Sequence, residues 1–538
     1  MILDSKVMKK SLYFIVPFFV MGSMISSCVD DKGSYDLSPI NEVEISNIDE
    51  EDGYTVFLSG GELIIEPEVK GTMAEVNDPD RYTYRWYISI LENMTSEATR
   101  VIELGNERVL HYKPENISPG TYTLYFEVAD KNTGLKFLKE TSVLIQSKTM
   151  SGFLVLGEKS DGSVKMDMIA TIYKQDTILI EDVFVDPNIK KPENLLFTGA
   201  SRYGSNQNMW LTAADEVYSM TSGSNINILE TNTFDKKLLT TFDIKRPAKI
   251  LDMYPSPNGS SSRGDNYRGY ITEDAIFEAR LMGGLQLFGN PINRYDGLST
   301  ELFKPYPLAF TKSGFMSSFS LNVMFYDMDR RAFVVPNSAS ASSVAYCKEL
   351  KDNSGDVFNW NQGNTTRELI FAQNGNNSNS YALFKDAENN WNVFIFSVTS
   401  VVAPTKIGAY SIDLSVATNF DKADIYAFSS DETEILYTVG SQLWGYDYAR
   451  NKAVMLKDYN NEIIYLVQDV SSTTRKYDFI IATSNGDYKS QLSKFYLIPN
   501  PDDIAIAEDE NLIWDINSRI KDVEWKNAAD LEDESGYY

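Results

Sequence analysis

Two tryptophans sit in runs of side-chain amides, Phe358-Asn359-Trp360-Asn361-Gln362-Gly363-Asn364 and Asn389-Asn390-Trp391-Asn392. That composition suits a sugar. A flat indole covers its apolar C–H face, and Asn and Gln amides both donate to and accept from the hydroxyl rim. Trp360, Asn361, Trp391 and Asn392 are therefore the candidate ligand-binding residues, for a glycan platform. The competing reading makes these segments strand turns beside a core Trp. Asn206-Gln207-Asn208-Met209-Trp210 is a third such run, but Met209 to Thr212 reads as a strand, which makes Trp210 the weakest of the three.

Other chemistry is sparse. The 538 residues include 1 His and 2 Cys, which excludes a multi-His metal site, a Cys cluster and a disulfide scaffold. His111 lies in a strand-like segment with no G-x-S-x-G elbow nearby, so it reads as a surface or half-buried strand residue. Cys347 reads as a small buried hydrophobe. Asp327-Met328-Asp329 and Asp352-Asn353-Ser354-Gly355-Asp356 lack the full spacing of a calcium loop and read as turns. Arg263-Gly264-Asp265 reads as a plain loop. Paired carboxylates could hydrolyse glycosides, but only if burial holds one neutral beside a second. No catalytic residue, metal site or cofactor is assigned, and the chain is expected not to be an enzyme.

Acidic residues outnumber basic ones 76 to 49, for a net charge of −27. A nucleic-acid binder needs a basic surface to displace counterions, so that partner is excluded. Hydrophobic residues at 43% and charged residues at 23% describe a globular chain.

The amino terminus is an address. Lys9 and Lys10 precede an apolar run, Leu12 to Ile25, too short for a comfortable membrane span. It ends Ile25-Ser26-Ser27-Cys28, which resembles the bacterial lipobox; the alternative is an ordinary secretory signal with a chance Cys. The resemblance implies cleavage before Cys28 and acylation of its thiol, and acyl chains such as palmitate anchor stably when two or more are present. Residues 1–27 are then a signal peptide and 28–40 an acidic tether. Asp30-Asp31 behind Cys28 is similar to the surface-export signal of Bacteroidetes lipoproteins. Asp176-Thr177-Ile178 resembles the O-glycosylation acceptor of secreted proteins of that phylum.

From 41 to 148 the hydrophobic period is two. Tyr82, Tyr84, Trp86 and Ile88 alternate with polar residues, as do Tyr122, Leu124, Phe126 and Val128. Several short strands between Gly, Pro and Asn turns indicate an antiparallel sandwich. "YTYRWYI" (82–88) and "PGTYTLYFEVAD" (119–130) resemble the signature strands of a PKD-type, Ig-like domain. The resemblance assigns Trp86 to the inter-sheet core and Tyr122 to packing near the domain edge. With "CVDDKGSYD" (28–36) and "INEVEI" (40–45) it extends to PKD-like lipoproteins of Bacteroides relatives.

The fold class is all-β, and 150–527 reads as a β-propeller, followed by an acidic tail at 528–538. "EILYTVGSQLWGYDYARNKAVML" (434–456) is the clearest repeated unit. Blades of about 40–50 residues predict seven or eight, with seven favoured. Two or three further sandwiches are the competing architecture. The family resemblance implies a lipid-anchored outer-membrane protein facing outward, associated with a SusC/SusD-like uptake system. The expected function is binding or presenting an extracellular glycan or peptide. A carboxylate-based hydrolase or lyase and a purely structural or adhesive protein are the alternatives.

Overall fold

The computed structural model describes residues 41–526 except 59–60, 74–79, 92–98, 116, 118, 150, 172–176, 199–208, 215, 222–225, 232, 255–266, 281–286, 312–321, 338–344, 400–402, 470–477 and 500–501. The chain is all-β, in two successive parts.

The first part is an Ig-like sandwich. One sheet has the order Tyr54–Phe57, Lys136–Gln146, Gly120–Asp130, Tyr82–Leu91, Thr99–Gly105. It faces two ribbons, Val43–Ser46 with Glu68–Gly71 and Leu63–Ile65 with Leu110–Tyr112. The alternation of apolar and polar residues sends Trp86, Ile88, Leu124, Phe126 and Val128 inward. Trp86 is fully buried, stacks on Phe126 at 4.3 Å between ring centroids and donates its indole N–H to the carbonyl of Glu107 at 3.1 Å. Tyr122 is half-buried against the same core.

The second part is a β-propeller. Among the described residues it has seven sheets in chain order, numbered here as blades: 152–190, 192–231, 250–280, 310–349, 368–412, 425–458 and 462–516. The last strand, Arg519–Lys526, returns to pair antiparallel with Gly152–Glu158 in blade 1. Neighbouring blades share apolar cores. Leu154 and Met166 pack with Leu211 and Met220, and Trp210 with Tyr270 and Phe277. Tyr254 packs on Phe325, Phe333 with Phe384 and Phe396, and Leu383 with Phe428. Leu436 packs with Phe479, and Phe153 with Ile480, which completes the circle. Among the described residues, radial closure of this kind joins the first and last strands of the propeller in one sheet.

Candidate functional site at the centre of the ring

The innermost strand of each blade is the one that meets its neighbours around the ring: Arg519–Lys526, Pro192–Phe197, Ile250–Tyr254, Phe310–Thr311, Glu368–Asn374, Ile425–Phe428 and Glu462–Gln468. These edges would present unpaired backbone groups to the centre. Polar side chains meet them across the blade boundaries. Leu195 N–H donates to Asp522 Oδ2 at 2.9 Å, and Phe197 N–H to Glu524 Oε1 at 3.0 Å. Asn194 Nδ2 donates to the carbonyl of Ile250 at 3.2 Å, and Ala309 N–H to Asp252 Oδ2 at 2.6 Å. Asn374 Nδ2 donates to the carbonyl of Ala309 at 2.7 Å. Gln373 and Phe428 exchange two bonds of 2.9 Å. Ser430 Oγ donates to Gln468 Oε1, and Tyr465 OH to the carbonyl of Val523 at 3.2 Å.

Three of these groups are carboxyls within electrostatic reach of one another. Asp252, Asp522 and Glu524 keep part of their surface accessible, with protein packed around the rest. Burial pushes Asp252 up to about 7 and Asp522 up to about 6. Glu524 is pushed well above the usual range, first by burial and then by the charges of Asp522 and Asp252. All three therefore hold their protons more tightly than ordinary carboxyls do. Among the described residues no cluster of three or more His, Cys, Asp or Glu is placed to hold a metal ion.

A fourth raised carboxyl lies deeper in blade 3. Tyr254 OH donates to Glu278 Oε1 at 2.9 Å, and burial pushes Glu278 up to about 7. The tyrosine crosses the middle strand to reach it, over Gly269. A Cβ at that glycine would lie 1.9 Å from the Tyr254 ring.

The expected glycan platform does not form. Trp360 is only 4% exposed and Trp391 only 3%. Trp360 packs edge-to-face on Phe333, Phe358 and Phe396, while Lys406 lies 5.0 Å from its ring centroid. Lys406 is held there by Asp352 at 2.7 Å and Asp356 at 2.6 Å, so this acidic loop clasps a lysine. Trp391 packs against Phe420 at 5.4 Å and donates its indole N–H to Asn389 Oδ1. Asn361 Oδ1 accepts from Gly363 N–H within a turn. Asn392 Oδ1 accepts from Arg367 Nε, and its Nδ2 donates to Ser411 Oγ. A ring with both faces packed by neighbouring side chains cannot stack on a sugar.

The remaining residues fall as follows. His111 is exposed beside Glu62. Cys347 is buried, and burial pushes its thiol well up. Asp327 Oδ1 accepts the N–H groups of Asp329 and Arg330, as a turn residue does. Cys28, Asp176 and Arg263-Gly264-Asp265 lie outside the described residues. The sequence reading missed Asp252, Asp522 and Glu524. The available signal was acids inside strand-like runs, "ILDMY" (250–254) and "IKDVEW" (520–525).

Residues 28–193 match the model of the PKD-like family. No curated protein matches the chain. Among solved structures, it is similar to a quinonprotein alcohol dehydrogenase-like protein from Bacteroides thetaiotaomicron at 13% identity and TM-score 0.35, over 88% of this chain and 97% of that one. It is also similar to the extracellular domain of a putative one component system from B. thetaiotaomicron at 10% identity and TM-score 0.30, over 88% of this chain and 68% of that one. A eukaryotic initiation factor matches at 10% identity and TM-score 0.29, over 83% and 98%. Neither identity nor superposition at this level carries a function to this chain. The sandwich, with the propeller's first blade behind it, is thus the part of the chain that a PKD-like family domain describes.

Proposed function

We propose that the protein is a surface-displayed binding module in which the sandwich carries a propeller whose centre receives an extracellular polymer, glycan or peptide, without chemistry of its own. The observation that supports this reading is the ring wall. Cross-blade hydrogen bonds fix the inner strands, and Asp252, Asp522 and Glu524 line one sector. Fixed acceptors of this kind suit the hydroxyls of a sugar or the amides of an extended peptide at little entropic cost. Binding of the purified protein to glycan and peptide arrays tests it. Glu524→Gln and Asp252→Asn are expected to weaken capture about tenfold or more without loss of the fold. Unchanged capture would overturn it.

A hydrolase or lyase is the second reading, favoured by carboxyls of raised pKa lying close together. Against it, Asp522 already accepts N–H groups from Leu195 and Val523 on its two oxygens. Product release from a polysaccharide panel decides between the two.

The proposal extends to anchorage: Cys28 carries the lipid, the chain faces outward from the outer membrane, and it serves a SusC/SusD-like uptake system. No helix of the described residues is long and apolar enough to cross a membrane, so a covalent lipid would supply the attachment. Incorporation of a clickable palmitate, lost in Cys28→Ala, is the expected result.

A further inference from the structure

The outer face of the five-stranded sheet of the sandwich has an order that the core does not require. Cross-strand register places Glu103, Tyr87, Tyr125 and Glu140 in one row. A second row holds Val101, Ser89, Thr123 and Ser142, and a third Arg85, Glu127 and Leu138. Leu138 is 53% exposed and Val101 42%, so the face is open.

The two tyrosines are stacked, with centroids 5.0 Å apart and planes 18° from parallel. The Arg85 guanidinium lies 4.4 Å from the Tyr87 centroid and is gripped in turn by the Glu103 carboxylate. Both faces of Tyr87 are therefore covered, by Arg85 and by Tyr125. Tyr125 is partly exposed, with Glu140 opposite it in its row and the exposed Leu138 in the row beside it. Its ring is held in advance of any ligand, so little freedom is left to lose on binding.

Charge narrows what can bind. The chain carries −27 overall, yet here the charges are paired, Arg85 with Glu103 and Lys136 with Glu127 at 2.9 Å. That leaves Glu140 as an acceptor, beside the hydroxyls of Thr123 and Ser142. A face without net positive charge on an anionic protein turns away anionic polymers. An aromatic ring with a hydroxyl and carboxylate border complements a sugar's C–H face and hydroxyl rim.

We infer that this face is a binding site for a neutral polysaccharide, with one sugar ring stacked on Tyr125 beside Leu138 and Glu140. The site is separate from the ring centre. It shares with the function proposed above only the idea that the protein engages an extracellular polymer.

Affinity electrophoresis of the purified protein through gels containing amylopectin, xyloglucan or galactomannan tests it, with alginate and DNA as anionic controls. The expected result is retardation by at least one neutral polysaccharide and by neither control. Tyr125→Ala then weakens it about tenfold, while Tyr125→Phe leaves it intact. Glu140→Arg and Leu138→Arg provide the same readout without touching the stacked pair, should Tyr125→Ala lower the melting temperature. No retardation by any neutral gel overturns the inference, as does binding confined to the anionic gels. Binding that survives Tyr125→Ala and Glu140→Arg but fails in Glu524→Gln also overturns it, and places the polymer at the propeller centre.

Discussion

Trp360 and Trp86 show how the same side chain carries different information in different surroundings. Trp86 stands in a run of strict alternation, and its burial follows from the period of two. Trp360 stands among amides, where local composition does not separate an exposed indole from a buried one. What buries it is distant: Phe333 and Phe396 from neighbouring strands, and Lys406 from the outer strand of blade 5. Two predictions follow at this scale. Trp360→Ala is expected to lower stability by about 3–5 kcal/mol, as large-to-small core changes do, read as a fall in denaturation midpoint. A surface indole would leave the midpoint unchanged. Gly269→Ala is expected to cost more than the usual strand glycine, because the added methyl meets the Tyr254 ring. A second change, Tyr254→Ala, should recover part of that loss, and a double-mutant cycle measures it.

For single elements, the legible features were the repeats and the illegible ones the contacts between repeats. The segment 434–456 gives strands Glu434–Val439, Gln442–Asp447 and Lys452–Asp458, with Gly440 at φ 61° in the first turn. Turn residues and alternation lie within a few positions of each other, so one sequence suffices to find them. The inner wall is different. Asp522 reaches a backbone N–H 327 positions away, and no local pattern announces that partner. Its consequence is a dependence on pH. In the folded protein Asp252 titrates at about 7, whereas an unfolded Asp titrates near 4. Between those values the folded state keeps a proton that the unfolded chain has lost. Stability therefore falls as pH rises through that window, by up to a few kcal/mol for this group. Asp252→Asn should flatten the slope of melting temperature between pH 4 and 7. Lys526 acts in the opposite sense. Burial lowers its amine to about 7, and its Nζ donates to the carbonyl of Thr149. From pH 7 towards 10 the unfolded chain binds the extra proton, so stability rises with pH, and Lys526→Met removes that rise.

For the whole molecule, the closed ring depends on one segment. Arg519–Lys526 supplies a strand to blade 1, the acids that meet blade 2, and Trp525, which packs edge-to-face on Phe153 at 4.7 Å. Removing 518–538 takes all three away at once. Such a truncated chain is expected to lose cooperative unfolding in the propeller. The sandwich transition should persist, since Trp86 and its neighbours form a core of their own. Calorimetry of the two chains, with one transition kept and one broadened or absent, is the check.

The pairing of 152–158 with 519–526 also sets a clock. Blade 1 leaves the ribosome before the other six blades, and it waits for 519–526 before its fourth strand exists. Until then its inner edge is open to any other chain that can add a strand. If the polypeptide is exported as the leader-like segment suggests, it is threaded amino terminus first, so blade 1 emerges with that edge bare until 519–526 follow. A chain that ends before 519 never acquires that partner, and blade 1 then keeps a bare strand open to pairing with another chain.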